Sequence, residues 1–260
     1  MLQWFTSKQK RAAVSRQAVI LDIIQSTGFQ LVSDLAEQLG VDPSTIRRHL
    51  DRLEDMDLIQ RTHGGAHPVH QAETPSVFKQ SLHHKEKQAI GKAMADRVLD
   101  GQVIMLDSGS TTLEVAKHLN HSRVTVVTND LRIGLEIADK RGTNLVFIGG
   151  ELLPDVYTMW GPTAVQQIEQ LRVDVAIFGA DTVNESGIFN NSSYEMEAKR
   201  TMISIANQAF FVADSSKFHR EALFKVFDFE RFTAGITDDL LDPIVASLLP
   251  LPVIRVSPKR

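Results

Sequence analysis

LVSDLAEQLGVDPSTIRRHLDRLEDMDL, residues 31–58, reads as two helices joined by a tight turn. Leu35, Ala36 and Leu39 form a short apolar stripe, Asp34 near its start suits the positive helix end, and Gly40 closes it. In the turn, Asp42 can accept a bond from the free N–H groups of the next helix. Pro43 fits the first helical position, where no donor is needed. At 100° per residue Ile46, Leu50 and Leu53 share one face of the second helix. Ser44, Arg48 and Asp51 point away from that face, with Thr45, Arg47 and Arg52 on the flanks. A core helix with a solvated charged side explains such a pattern equally well. The order of parts favours more: a short helix, a glycine-bearing turn, then a capped helix with small polar and arginine residues in its first two turns. In helix-turn-helix proteins those turns enter the major groove, where Arg bonds guanine edges and Ser or Thr bonds phosphate.

The flanks agree. From about Ser15, Val19, Ile20, Ile23 and Ile24 lie at helical spacing and Gly28 ends the run. After the second helix, LIQRTHGGAHPV reads as strand, Gly64-Gly65 turn and strand, a wing from which Arg61 and His63 can touch phosphate. The expected DNA-contacting residues are therefore Ser44, Thr45, Arg47, Arg48, Arg52, Arg61 and His63.

Bulk numbers allow this without demanding it. A chain of 260 residues that is 43% hydrophobic and 23% charged suits two soluble globular domains. The net charge is −4, yet residues 1–70 hold 8 Lys/Arg against 8 Asp/Glu, so DNA affinity must come from local placement. Lys8, Lys10, Arg11 and Arg16 add candidates in the leading segment. No apolar run approaches a membrane span, and the start MLQWFTSKQKR reverses the order of a secretory signal, so a cytoplasmic protein is expected. With no cysteine there is no disulfide or thiolate site. His63, His67 and His70, or His83 and His84, do not share one helical face with a carboxylate, so no metal site and no cofactor are expected.

Residues 1–70 thus form one domain, 71–78 (QAETPS and two more) a linker, and 79–260 a second domain. A helical pattern from Lys79 to Leu99 is followed by alternation of strand and helix. Strands are expected at Val103–Leu106, Val124–Val127, Leu145–Ile148, Val175–Phe178 and Phe210–Ala213, in a mostly parallel α/β sheet. LLPLPVIRVSPKR at the end adds an edge strand and a basic tail. Ligands of such sheets sit beyond the carboxyl ends of strands. There lie Asp107-Ser108-Gly109-Ser110-Thr111-Thr112, Thr128-Asn129, Gly149-Gly150, Gly179-Ala180-Asp181 and Asp214-Ser215-Ser216-Lys217. The first is neither a Walker loop nor a dinucleotide fingerprint, and a capped strand-to-helix turn accounts for it equally well. Together these residues suit a small ligand with hydroxyls and a phosphate. Glu195 and Lys199, four apart on a helix from about Ser193 to Ala206, have the spacing of an ordinary surface ion pair. Trp160, before another helix, can stack on a ligand or simply pack.

LAEQLGVDPSTIRRHLDRLE, the following arginine and HGGA resemble the N-terminal winged domain of the DeoR family of transcription regulators. D-S-G-S-T-T, T-N, G-G, the Glu-x-x-x-Lys helix and D-S-S-K resemble, in the same order, that family's effector domain. The resemblance covers about residues 15–240. It implies a winged helix-turn-helix domain followed by an α/β domain similar in fold to ribose-5-phosphate isomerase and coenzyme A transferases. It also implies double-stranded operator DNA and a phosphorylated sugar or related small-molecule effector as partners, a homo-oligomer (dimer or tetramer), and a repressor rather than an enzyme. Its effector residues fall on Asp107, Ser108, Ser110, Thr111, Asn129, Gly150, Asp181, Glu195, Lys199 and Lys217. Two departures stand out. His49 occupies a position that is generally acidic in the family, and Asp181 is followed by Thr-Val where glycine and isoleucine are more usual. The competing expectation is a sugar-phosphate isomerase with Asp107 or Glu195 as base and Lys199 or Lys217 as electrostatic partner.

Overall fold

Helices end where the glycines and caps foretell. In the computed structural model, which describes residues 2–69, 74–218 and 220–258 with side chains from Val14 onward, Gly40 takes φ 60° at the close of the first helix of the 31–58 stretch. The chain divides into two compact units, Met1–Leu82 and His83–Arg260.

The first unit runs α1 (Leu2–Thr27), β1 (Gln30–Leu31), α2 (Val32–Leu39), α3 (Pro43–Glu54), β2 (Ile59–Thr62), β3 (Gly65–Pro68) and α4 (Ser76–Ser81). Helix α1 begins well before Ser15, and the side chains of Lys8, Lys10 and Arg11 lie outside the described residues. Ile20 and Ile24 of α1, Leu35 of α2, and Ile46, Leu50 and Leu53 of α3 are all fully buried in one core. The wing is a three-stranded antiparallel sheet in the order β1-β3-β2. Gly65 is required in it, since a Cβ there would stand 2.3 Å from the Gln30 carbonyl oxygen across the β1–β3 pair.

The expected linker is in large part not a linker. Gln71 to Glu73, like His70, lie outside the described residues, but Thr74 bonds Gln25 of α1 at 3.2 Å and Phe78 is buried in the first unit's core. The helix expected over 79–99 is two helices. His83 takes the left-handed conformation, φ 51°, between α4 and α5 (His84–Ala95).

The second unit continues with β4 (Val103–Leu106), α6 (Ser110–His118), β5 (Thr125–Thr128), α7 (Leu131–Ala138) and β6 (Asn144–Phe147). Then come β7 (Glu151–Leu153), β8 (Thr158–Trp160), α8 (Pro162–Glu169), β9 (Val173–Gly179), β10 (Thr182–Asn184), β11 (Gly187–Asn190) and α9 (Met196–Ser204). The chain closes with β12 (Ala206–Val212), β13 (Phe224–Phe227), β14 (Ala234–Asp238), α10 (Pro243–Leu248) and β15 (Val253–Val256). Seven strands form one sheet in the order β15-β14-β12-β9-β4-β5-β6, every pair parallel.

Ile104, Met105 and Leu106, like Ala176, Ile177 and Phe178, are buried in succession. Residues of both parities are covered, as expected for a parallel strand with structure on both faces. One face packs an aromatic cluster in which Phe178, Phe211, Phe227 and Phe232 meet mostly edge to face. β15 is the expected edge strand. β14, the β7–β8 hairpin and a small antiparallel sheet of β10, β11 and β13 are additions to the expected plan. The order reverses between β4 and β9. Chain connections leave that point in opposite directions, opening a crevice at the carboxyl ends of these two strands. Among the described residues, no helix is long and apolar enough to cross a membrane.

Candidate DNA and effector sites

In α3 the cap is as the turn residues require: the Ser44 N–H donates to Asp42 Oδ1 at 2.8 Å, and Pro43 holds the first position. Arg47, Arg48 and Arg52 are exposed, as is Ser44, while Thr45 is half-buried. His63 is exposed at the tip of the wing. Arg61 is different. Its guanidinium bonds Asp51, and its backbone N–H donates to Glu54 Oε1 at 2.9 Å, so the wing arginine is tied to the exposed side of α3.

His49 sits within the buried face of α3, 2% exposed, and its buried Nδ1 has no hydrogen-bond partner. Burial, and then the positive charges of Arg16, Arg48 and Arg52, hold its imidazole below the usual histidine range.

In the second unit the switch point brings four predicted residues into direct contact. Asp107 follows β4 and is buried. Its Oδ2 accepts from the Lys199 ammonium and from the Gly179 N–H at 3.2 Å, and its buried Oδ1 has no hydrogen-bond partner. Ser108 Oγ donates to Glu195 Oε1 at 2.5 Å. Glu195 and Lys199 thus turn inward from α9 and its start, instead of pairing on the surface. Burial pushes the Asp107 carboxyl up to about 6, against the pull of Lys199 and with further help from Glu195. For Lys199 burial works against the charge, but Asp107 and Glu195, with Asp181 contributing, outweigh it and hold the ammonium above the usual lysine range.

Ser110 opens α6 and is half-exposed, while Thr111 behind it is buried. Asn129 is anchored to the β7–β8 hairpin: its Nδ2 donates to the Met159 carbonyl at 2.9 Å and its buried Oδ1 lacks a partner. Gly150, exposed at φ 153°, lies against the same hairpin, where a Cβ would stand 2.5 Å from the Trp160 carbonyl oxygen. Asp181 Oδ2 accepts from the Asn191 N–H at 3.3 Å. Lys217 lies in the turn after β12, half-buried, and its charge acts on Asp214.

Asp130, its partner Arg132, and Lys87 have no part in the sequence-based expectation. Asp130 caps α7 through the Arg132 and Ile133 N–H groups, pairs with the Arg132 guanidinium at 2.6 Å, and accepts from Gly109 N–H at 3.4 Å. Lys87, 3% exposed, is paired with the buried Asp214 at 3.7 Å. Its signal was present, because positions 87, 90, 91 and 94 form one helical face whose other members are Ile90, Gly91 and Met94, all buried.

Comparison with known proteins matches residues 16–72 to the profile described as DeoR-like helix-turn-helix domain, and residues 82–239 to that described as DeoR C terminal sensor domain. The transcriptional repressor AccR of Agrobacterium fabrum is 32% identical over 238 residues, covering 90% of this chain and 92% of that protein. The glycerol-3-phosphate regulon repressor of Escherichia coli K12 is 31% identical over 222 residues, covering 84% of this chain and 88% of that protein. Among solved structures, ribose 5-phosphate isomerase A from Methanocaldococcus jannaschii aligns over 52% of this chain and 54% of its own, with 22% identity and a TM-score of 0.38. A likeness that loose carries nothing about ligand or chemistry.

Proposed function

The chain belongs to the DeoR family of transcription regulators, and on that premise we propose that it is a cytoplasmic repressor of double-stranded operator DNA, controlled by a phosphorylated sugar. The observation that carries this reading is the union, in one chain, of a capped helix presenting Arg47, Arg48 and Arg52 with a polar, partly unsatisfied site at the switch point of a parallel sheet. Arg47 and Arg48 read or grip the groove, Ser44 and Thr45 seat the helix start, Arg52 and His63 contact the backbone, and Arg61 reaches it only when released from Asp51. In the second unit Asp107, Ser108, Asn129, Asp181 and Glu195 receive hydroxyls. Gly150 permits close approach, and Ser110, Thr111 and Lys217 meet the phosphate. Lys199 holds Asp107 in place.

Effector binding changes operator affinity only through its differential affinity for the arrangements of a homo-oligomer, a dimer or tetramer, whose paired helices match half-sites. Relatives named as repressors, one of them of a glycerol-3-phosphate regulon, support this sense of control. We read the site as one that binds without turnover, because the relatives of this chain are named as regulators. Footprinting on DNA flanking the gene, at two salt concentrations and with a panel of sugar phosphates, tests the proposal. Protection that weakens with salt and responds to one phosphate is expected. Absence of a specific complex overturns it, as does isomerase turnover of pentose or hexose phosphates by the full chain.

A further inference from the structure

A loop of contacts and short backbone steps links residues that follow β4 and β5 to the start of α9, and two of its members are aromatic. Ser108 Oγ donates to Glu195 at 2.5 Å. Tyr194, the preceding residue, meets Trp160 edge to face at 5.1 Å between ring centroids. Trp160 stands two positions beyond Thr158 on β8 and so shares its face, and Thr158 bridges to Asp130. Asp130 accepts from Gly109 N–H at 3.4 Å, and Gly109 follows Ser108. The loop is therefore polar along Ser108, Glu195 and Asp130, and aromatic along Trp160 and Tyr194. Tyr194 is 53% exposed and Trp160 half-buried, an arrangement that leaves aromatic surface open. The part of each ring left exposed gains nothing for folding, since that apolar area remains in water.

From this we infer that Trp160 and Tyr194 are specificity-determining residues which select the closed-ring form of the effector. The inference rests on the sugar-phosphate reading of this site and deepens it. A pyranose or furanose ring has an edge of hydroxyls and a flat face of C–H groups. The hydroxyls suit Ser108 and Glu195, and the C–H face suits the aromatic pair. An open-chain polyol phosphate offers the same hydroxyls and the same anion but no flat apolar face, and it must lose more rotational freedom to bind.

The test uses the full chain and matched probes: ribose 5-phosphate against ribitol 5-phosphate, and hexose 6-phosphates against the corresponding hexitol 6-phosphates. Affinity is read by thermal shift and, in a Trp4→Phe background where Trp160 is the one indole left, by tryptophan emission. At least one ring form is expected to bind roughly fivefold or more tightly than its polyol and to change Trp160 emission. Tyr194→Ala, a truncation at an exposed position, is expected to remove that advantage while leaving polyol affinity in place, and Trp160→Leu to do the same. Polyol phosphates that bind as well as their ring forms, or an advantage that survives both substitutions, overturn the inference and leave the sugar-phosphate reading standing. If no phosphorylated sugar binds the unaltered chain, that reading falls and the inference with it.

Discussion

The Lys199 ammonium donates to Asp107 Oδ2 across 92 residues of chain, and both side chains are all but sealed from solvent. The contact links α9 to the carboxyl end of β4. Lys199→Met leaves the carboxylate without its counter-charge in a dry site. Breaking a buried pair from one side costs about 3–5 kcal/mol. The lower figure applies here, because Asp107 already sits at about 6 and can take up a proton instead. Urea unfolding at pH 7 should show a loss of about 3 kcal/mol. A loss within about 0.5 kcal/mol, the level of an ordinary surface change, would contradict the buried pairing.

Asp107 and Asp214 should respond to pH with opposite signs. For Asp107 the folded carboxyl titrates at about 6, above the ordinary 3.8, so the folded state binds the extra proton in between. Stability from this group is therefore present at acid pH and declines as pH rises from about 4 through 6. For Asp214 burial alone would raise the pKa, but Lys87, Lys217 and His83 together bring it below the ordinary value. Its contribution is present above pH 3.8 and disappears as the pH falls through the folded value. Comparing Asp107→Asn with the unaltered chain across pH 4–7 should show a stability difference that changes within that window, whereas for Asp214→Asn the change should fall in more acid solution.

Much of this was legible in the sequence, and the failures have physical reasons. α3 was readable because Asp42-Pro43 marks its start and Ile46, Leu50 and Leu53 keep one helical period through to the core. β4, β5 and β9 were readable as apolar runs bounded by turn residues. β14 was not, because its sequence AGITD places a glycine and two polar residues in a strand where all five are buried. The β7 and β8 strands are three residues each, too short for a period to emerge. The Glu195 to Lys199 spacing pointed to a surface pair. Only the tertiary position of α9 turns both residues toward Asp107 and Ser108. The linker was misplaced because Thr74-Pro75 looks like a hinge until Phe78 is seen inside the first unit's core.

On the proposed reading of α3 as the DNA-contacting helix, Asp51 opposes DNA in two ways. It pairs with Arg61, and it adds negative charge to the exposed side of α3, one turn from Arg48. Asp51→Asn should free the Arg61 guanidinium for phosphate. Operator affinity should rise, and the slope of log affinity against log salt should steepen by about 0.9, the value of one further phosphate neutralised. Adding Arg61→Ala should return the slope to its starting value. Fluorescence anisotropy titrations of operator DNA between low and moderate salt provide the measurement, and an unchanged slope in Asp51→Asn would show that Arg61 does not reach the backbone.

His49 gives the first unit a pH response of its own. Its folded pKa lies below 6.5, so the unfolded chain takes up a proton that the folded chain refuses. Stability contributed by the neutral imidazole is complete above 6.5 and is lost as the pH falls below it. Arg16, Arg48 and Arg52 all oppose a positive charge at this position and would favour a negative one. His49→Gln, which carries no ionisable group, should abolish the loss between pH 6.5 and 5. His49→Leu should also abolish it, and should remove the buried Nδ1 that lacks a partner, which costs about 1–3 kcal/mol. Amide hydrogen exchange along α3 at pH 5 and 7, corrected for intrinsic rates, reads the first unit alone. Protection that falls equally with acid in all three proteins would place the response elsewhere than in His49.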